Sequence, residues 1–362
     1  MTYKSPRDFF TPQMHDYDRV GISWHPYIMF FNGKNYKSKV VNTDSNGFRL
    51  TSFHGKEFAS DSLAYSDEIS LVVGGSTAFG VGATSDTKTL SSLLSQKTNI
   101  LHLNLGGRAF NSTQELLLFK WLISRRLKIK DVIIVSGAND LFLSSISTSS
   151  FMPSLFLGKR YEALMLEGMI SPKRKMLRKL LGRLAPDTID WSNTNIRSLA
   201  KSSIEYLFST SHNESENLAK DKTEVNISTK NAILHLDPSI CFWSALSSFL
   251  GFRLIYVLQP FAGWIPKQYT QEEKELFKYL DNRQEQTYCT LRQMSDTKIY
   301  AELAGNLSSI CESYRVSYID SNAFMAAKVE VNNQWLYVDR VHLTDLGYQF
   351  LADLISQRTQ MP

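Results

Sequence analysis

The stretch EISLVVGGSTAFGVGA, from Glu68 to Ala83, decides the fold. An apolar run of strand length, residues 69–73, ends at two glycines, and Ser76 follows directly. A helix comes next, with an apolar stripe at Leu90, Leu93 and Leu94. This pattern places Ser76 at the carboxyl end of a buried strand, where open α/β sheets bind ligands. A Gly-Gly-Ser-Thr string alone is usually just a turn, so its meaning depends on the rest of the chain.

A second strand ends in the same way. The segment ILHLNLGGRAFNSTQE, from Ile100 to Glu115, opens with alternating apolar residues and turns at Gly106 and Gly107. Its last four letters have the Ser-x-x-Glu spacing of a capping box, so we expect Ser112 to cap the following helix. The turn 106–111 therefore lies at the same edge of the sheet as Ser76.

A third strand brings an amide side chain to that edge. In DVIIVSGAND, from Asp131 to Asp140, four β-branched residues in a row predict a strand covered on both faces, and Asn139 follows its end. On its own, Asn139 is better interpreted as a turn residue. Three consecutive strands that deliver polar groups to one edge favour a functional site there.

The carboxyl-terminal part completes the sheet and adds a histidine. Residues 252–258 and 316–319 predict two more strands, so five strands alternate with helices, which indicates an α/β fold with a parallel sheet covered on both faces. Asp339 and His342 are three residues apart, so one turn can place both side chains on the same side. Thr344 is a predicted N-cap of the last helix. A lone histidine near a helix start is usually structural, but His342 follows an aspartate at a spacing that lets the two side chains meet.

Two regions stand outside this alternation. Residues 1–60 are aromatic and turn-rich, which predicts a small β-rich extension packed on an α/β domain of residues 61–362. Residues from about 145 to 238 predict a mainly helical insertion in that domain. The insertion contains a basic amphipathic helix over 173–183, for which a surface helix is the plainer interpretation and a weak membrane or polyanion contact the other.

The composition narrows the class of protein. The 362 residues include 40 basic and 35 acidic ones, and this net charge of +5 does not imply a nucleic-acid partner. Three widely spaced cysteines predict neither a disulfide framework nor a metal cluster. With no apolar leader visible near Met1, we expect a cytoplasmic protein.

Four short blocks, taken together, resemble the SGNH hydrolases, also called the GDSL esterase and lipase family. They are GGST at 74–77, the turn in NLGGRAFNSTQE at 104–115, GAND at 137–140 and DRVH at 339–342. Their order and approximate spacing match that family over roughly residues 66–356, apart from the insertion. The resemblance implies a three-layer α/β/α fold with a flavodoxin-like parallel sheet.

The resemblance also implies a role for each block. Ser76 would be the nucleophile, His342 its general base and Asp339 the residue that orients the histidine. The oxyanion hole would consist of the Ser76 amide, the Asn139 side chain and one amide of the second block. Alignment favours Ala109 for that amide, whereas residue type favours Gly107.

One departure from the family pattern concerns the first block. The family commonly has an aspartate before the nucleophile, whereas this chain has Gly75. The serine itself is retained, so the departure does not exclude activity.

These residues predict a serine esterase that removes a short acyl group, most plausibly acetyl, from a carbohydrate or similar polar small molecule. Arg108 is a candidate substrate contact or, equally, one half of a surface ion pair. The chemistry needs no metal and no organic cofactor. Three alternatives stay open: an O-acyltransferase with the same triad, a non-catalytic binding protein of this fold, and a lipid-active enzyme that uses the basic helix.

Overall fold

The computed structural model describes residues 5–25, 27–62, 68–123, 128–145, 227–283, 285–328 and 332–360. A five-stranded parallel sheet forms its centre, with the strand order β6-β5-β7-β8-β9. The strands are β5 (Glu68–Gly74), β6 (His102–Gly106), β7 (Lys128–Ser136), β8 (Arg253–Leu258) and β9 (Ser317–Asp320). Numbered within the sheet, this is the 2-1-3-4-5 order of flavodoxin-like folds. The expected parallel α/β sheet is therefore confirmed.

Helices cover both faces of the sheet. One face packs against α4 (Leu90–Thr98) and α12 (Asp345–Gln360), and the other against α5 (Ser112–Ile123), α7 (Thr229–Leu250) and α10 (Thr297–Ser313). In β7, Val132 and Ile134 enter the core on the α5 side, while Ile133 and Val135 enter the core on the α4 side. A strand buried on both faces explains the unbroken β-branched run in this part of the sequence.

Shorter helices follow the carboxyl ends of the strands or join the larger helices. They are α3 (Ser76–Phe79), α6 (Ala138–Ser144), α8 (Gln271–Asp281), α9 (Gln286–Met294) and α11 (Ser321–Ala327), with 3₁₀ turns at Asp86–Lys88 and Ala262–Trp264. Because α3 and α6 start where β5 and β7 end, Ser76 and Asn139 flank the point at which the strand order reverses. This position in doubly wound sheets is the usual place for a ligand.

The amino-terminal segment is only partly the β-rich extension that the sequence predicts. Two antiparallel pairs are present, β1 (Ile22–His25) with β2 (Met29–Asn32), and β3 (Thr51–Phe53) with β4 (Lys56–Phe58). Two helices precede them, α1 (Pro6–Phe10) and α2 (Met14–Arg19). The signal for α1 is local, since Ser5 and Asp8 form a capping box around Pro6.

A buried arginine ties this segment to the α/β domain. Arg49 is 2% exposed, and its Nε donates to Oδ1 of Asp86 over 2.7 Å. Its terminal nitrogens donate to Tyr17 Oη and to the carbonyls of Val40, Phe79 and Gly80. A buried charge with its donors satisfied in this way is costly to unpair. Arg49 is therefore a structural residue that supports the backbone just after Ser76.

The two predicted helix caps have different outcomes. Thr344 caps α12, because its Oγ1 accepts the Gly347 amide over 3.2 Å. The capping box at Ser112 is wrong by one residue, since Asn111 and Gln114 exchange the reciprocal bonds, over 3.0 and 3.3 Å. Asparagine is as good an N-cap as serine. The Ser112 hydroxyl instead donates to Asp140 over 2.7 Å.

Helix α7 begins inside the region predicted as an insertion. It packs against α5, α6 and α10, and Phe119 meets Trp243 at a ring-centroid distance of 4.6 Å. By length and composition alone, α7 is the single helix of the described chain that is long and apolar enough to cross a membrane. The rest of the expected insertion, including the basic helix 173–183, lies outside the described residues.

Candidate active site

Three residues from opposite ends of the chain form a continuous hydrogen-bonded line. The distance from Ser76 Oγ to His342 Nε2 is 2.7 Å, and that from His342 Nδ1 to Asp339 Oδ2 is also 2.7 Å. Because an ionised carboxylate can only accept, Nδ1 of a neutral imidazole carries the proton and Nε2 keeps a lone pair for the serine hydroxyl. The arrangement can therefore withdraw a proton from Ser76.

Asp339 is held so that it cannot turn away from the histidine. Its Oδ1 accepts the backbone amides of Val341 and His342, both over 2.8 Å, while Oδ2 accepts from the ring. Burial acts to raise the pKa of Asp339, but the neighbouring His342 and these amide donors outweigh it and hold the pKa below its ordinary value. Asp339 thus stays ionised and stabilises a protonated imidazole.

Backbone geometry at the end of β5 fixes Ser76. Gly74 has a φ of 151°, and a Cβ there would lie 2.2 Å from the carbonyl oxygen of Val135. Only glycine fits that position, so β5 can turn sharply into α3. Ser76 is the first residue of this short helix, so its N–H has no partner within the helix and points toward the helix start.

The second block presents Ala109 rather than Gly107. The Gly107 amide donates to the Gly74 carbonyl over 2.9 Å and is therefore occupied. Ala109 has a φ of 61° and lies on the wall of the cavity, and within the described residues its amide has no acceptor. Left-handed backbone costs an alanine about 1–2 kcal/mol, so its neighbours must hold it there. Of the two sequence candidates, Ala109 is the one with a donor left for a substrate.

Asn139 lies across from Ala109. Its Nδ2 donates to the Phe110 carbonyl over 2.6 Å, and since a side-chain amide carries two hydrogens, one remains available. A Cβ on Gly75 would lie only 2.6 Å from this Nδ2. The close approach gives a physical reason for glycine where the family pattern has aspartate: a larger residue would displace the Asn139 amide.

These groups line a cavity of about 350 Å³. Ser76, Ala109, Asn139, Asp339 and His342 all belong to its wall. Much of the remaining wall is apolar, formed by Met14, Val81, Ala138, Phe142, Phe261, Leu280, Leu291, Met294, Val338 and Val341. A concave, mainly apolar site with a few convergent polar groups is typical of a small-molecule pocket.

The amino-terminal helices contribute a wall that sequence reasoning missed. Arg7, Met14, Tyr17 and Asp18 of α1 and α2 line the cavity, and Arg7 forms a two-point ion pair with Asp18 over 2.7 and 2.9 Å. No local pattern in the sequence indicates this, because the contact depends on how the segment packs on the α/β domain. Residues from the first twenty positions therefore form part of the cavity wall.

Arg108 also lines the cavity, and within the described residues it forms no ion pair. Its Nη1 donates to the Tyr17 carbonyl over 2.7 Å, its Nη2 to the Gly21 carbonyl and its Nε to Oδ1 of Asn32 over 3.3 Å. Burial lowers the pKa of Arg108 to about 10, so it stays charged at neutral pH. Two of these three bonds go to backbone carbonyls, one inside α2 and one just after it. A direct substrate contact by Arg108 remains a prediction.

Two acids are buried beside the site. Oδ1 of Asp140 accepts the Ser112 hydroxyl, and Oε1 of Glu115 accepts the Ser136 hydroxyl over 2.8 Å. Burial raises the pKa of Asp140 to about 6, and burial together with the charge of Asp140 raises the pKa of Glu115 well above its ordinary value. Within the described residues, Oε2 of Glu115 has no hydrogen-bond partner.

Comparisons with known proteins find likeness in structure alone. No family model matches the chain, and no curated protein matches it either. Among solved structures, many of the similar ones are GDSL or SGNH lipolytic hydrolases.

Three of the similar solved structures show how low the TM-scores and sequence identities are. A lipase/acylhydrolase from Enterococcus faecalis has a TM-score of 0.41 at 13% identity, over 81% of this chain and 94% of that one. An acetyl xylan esterase, AlAXEase, has a TM-score of 0.39 at 10% sequence identity, over 81% of this chain and 100% of that one. A member of the lipolytic protein G-D-S-L family from Veillonella parvula has a TM-score of 0.39 at 10% sequence identity, over 82% of this chain and 100% of that one. Such low values transfer no activity to this chain.

Gly75→Ala should lower activity without unfolding the protein. The new methyl group meets the Asn139 amide, which can move only by giving up its bond to Phe110. With a p-nitrophenyl ester as the test substrate, we expect kcat/KM to fall about tenfold or more, because a displaced amide donor would stabilise a developing oxyanion poorly. Gly305→Ala in α10 is the control, since a Cβ there meets nothing within 4 Å. Full activity in Gly75→Ala would contradict the placement of Asn139.

Glu115→Gln should change how stability depends on pH. The folded-state pKa of Glu115 is raised above the ordinary value of 4.5, so the folded wild type loses stability relative to the variant as pH rises above that value. The difference in unfolding free energy should grow by about 1.4 kcal/mol per pH unit until the folded-state pKa is reached. Urea unfolding between pH 5 and 8 measures it, with Glu302→Gln as the surface control. A difference that stays constant over that range would count against a buried, protonated Glu115.

Proposed function

We propose that this chain is a serine ester hydrolase of the SGNH type. The observation that supports it most is the unbroken line from Ser76 Oγ through His342 to Asp339, with both links at 2.7 Å. The same line ends in a cavity whose wall also carries Ala109 and Asn139. A nucleophile, an oriented base and convergent donors within one cavity are what acyl transfer requires.

The first half of the reaction forms an acyl-enzyme. His342 Nε2 accepts the hydroxyl proton while Ser76 Oγ bonds to the ester carbonyl carbon, and the carbonyl oxygen becomes an oxyanion. The amides of Ser76 and Ala109 and the free Asn139 N–H donate to this oxyanion. The tetrahedral adduct then collapses, the bond from carbon to the alcohol oxygen breaks, and the protonated His342 gives its proton to the leaving alcohol.

The second half regenerates the enzyme. Water loses a proton to His342 and its oxygen bonds to the acyl carbon, which forms a second oxyanion in the same hole. Collapse of that adduct releases the carboxylic acid and returns the proton to Ser76 Oγ. Asp339 keeps its charge throughout and stabilises the transient imidazolium. No step in this sequence draws on a group other than the substrate, water and the chain's own residues.

The proposed substrate is a short-chain ester, with acetyl first, on a carbohydrate or similar polar molecule. The ion pair of Arg7 and Asp18 on the cavity wall supports a polar alcohol portion. The apolar wall, which includes Phe142, Leu291 and Met294, offers more contact than an acetyl group fills, so the acyl length needs a chain series. A sugar acceptor added to the same assay separates hydrolysis from acyl transfer to a hydroxyl.

Ser76→Ala should remove turnover. We expect the wild-type chain to hydrolyse p-nitrophenyl acetate, and the variant to lose at least about a thousandfold in kcat, because Ser76 Oγ is the atom that carries the acyl group in the proposed reaction. His342→Ala should lose a similar amount, because Ser76 then has no base to accept its proton.

Matched measurements make this test decisive. Ser308→Ala removes an exposed hydroxyl from α10 and should leave turnover unchanged. Esters of two to twelve carbons, tested on wild type and on Ser76→Ala, bound the acyl pocket. Equal activity of the wild type and Ser76→Ala across that series would contradict the assignment of Ser76 as nucleophile.

A further inference from the structure

A buried asparagine of the amino-terminal segment pairs with the loop that carries Ala109. Asn32 stands at the end of β2 and is 1% exposed. Its Nδ2 donates to the Gly106 carbonyl over 3.0 Å, and its Oδ1 accepts the Arg108 amide over 3.2 Å. The side-chain amide thus bonds a carbonyl and the N–H two residues later, as the backbone of a neighbouring strand would. It brackets the turn immediately before Ala109.

The hydrogen-bonding capacity of Asn32 is fully used. The second Nδ2 hydrogen goes to the Gly47 carbonyl over 3.2 Å, and Oδ1 also accepts Nε of Arg108 over 3.3 Å. A carboxamide has two donors and two acceptor positions, and all four are filled. No isosteric residue can reproduce the set, because aspartate lacks both donors and leucine lacks all four groups.

Asn32 engages the Arg108 amide, and within the part of the chain that the structure describes the next amide, that of Ala109, has no acceptor. In this turn, the amides of Gly107, Arg108 and Phe110 donate to Gly74, Asn32 and Gly107 respectively. Asn139 holds the Phe110 carbonyl on the far side. A left-handed alanine persists only where its surroundings fix it on both sides. Asn32 supplies the support on the amino-terminal side, and the α/β domain supplies the rest.

We propose that Asn32 is a positioning residue for catalysis, which aims the Ala109 amide at the oxyanion. This proposal rests on the function proposed above. It makes the amino-terminal segment part of the catalytic apparatus rather than an appendage. Strand β2 reaches the loop through the hydrogen bonds of Asn32 and through the ring contacts of Phe30 and Phe31 with Phe110. Asn32 itself touches no reacting atom and acts through the turn 106–109.

Asn32→Asp and Asn32→Ala test the proposal against a purely structural role. A structural role lowers the fraction of folded enzyme, whereas a positioning role lowers the rate of each folded molecule. Active sites are therefore counted by end-point reaction of Ser76 with a fluorophosphonate, and kcat is expressed per titrated site. We expect both variants to lose tenfold or more in kcat per site, with KM within about twofold of wild type.

A transition-state mimic and a control variant sharpen the result. A boronic acid that forms a tetrahedral adduct with Ser76 should lose affinity by the same factor as kcat/KM, because its oxygen occupies the oxyanion hole. Asn42→Ala is the control, since Asn42 belongs to the same segment but bonds to Asp86 over 2.6 Å and not to the loop. Unchanged kcat per site in both Asn32 variants would overturn the proposal.

Amide hydrogen exchange on the wild type covers the case in which neither variant folds. The Arg108 amide should exchange slowly, and the Ala109 amide should exchange quickly until the boronic acid is bound. A protected Ala109 amide in the free protein would overturn the proposal. Wild-type chain that neither turns over esters nor reacts with the fluorophosphonate would instead contradict the proposed function, and the role of Asn32 with it.

Discussion

The hydrogen bond from Ser76 to His342 joins residues 266 positions apart, and the account of this protein depends on it. Two loops must meet for it to form. Asp345 accepts the amide and the hydroxyl of Thr84, over 2.8 and 2.5 Å, and Tyr348 donates its hydroxyl to the Val81 carbonyl over 2.8 Å. Gly82 lets the loops approach, since a Cβ there would lie 2.3 Å from the Leu343 carbonyl oxygen. The start of α12 is thereby fixed to the backbone that follows Ser76.

The side of the site that we propose as the oxyanion hole depends on constrained backbone in the same way. Gly74, Ala109 and Gly137 all have positive φ angles, and each lies where a strand gives way to the site. Such conformations persist only when packing and hydrogen bonds determine them. Here these residues are held in place by contacts with Val135, Asn139 and buried side chains of the amino-terminal segment. Binding energy can then be directed at the transition state, because the donors need no rearrangement during the reaction.

Local patterns in the sequence were enough to predict the parallel sheet and the residues that lie at its edge. Apolar runs that end in glycine predicted where strands end. The side chain that follows such a strand then lies at the carboxyl edge of the sheet. This reasoning predicts the positions of Ser76 and Asn139, whereas the Asp339–His342 pair follows from its three-residue spacing. The role expected of each residue came from the resemblance to the SGNH hydrolases, and the structure brings all four residues to one cavity. Ala109 was separable from Gly107 only through the bond between Gly107 and Gly74.

The remaining features depend on contacts that no local pattern encodes. The cavity wall from α1 and α2, the bonds of Arg108 to backbone carbonyls and the bracket formed by Asn32 join segments about 75 to more than 300 residues apart. The cap of α5 shifted from Ser112 to Asn111 for a related reason, because the distant Asp140 engages the serine hydroxyl. When a side chain has several possible partners, the assembled fold determines which of them it bonds to.

Trapping of the acyl-enzyme tests the central claim most directly. The wild-type chain is mixed with an activated acetyl ester, quenched in acid within the first turnover, digested and analysed by mass spectrometry. The account predicts an added acetyl group on the peptide that contains Ser76, and none on that peptide in Ser76→Ala. Ester turnover without an adduct at Ser76, or with an adduct at another residue, would contradict it.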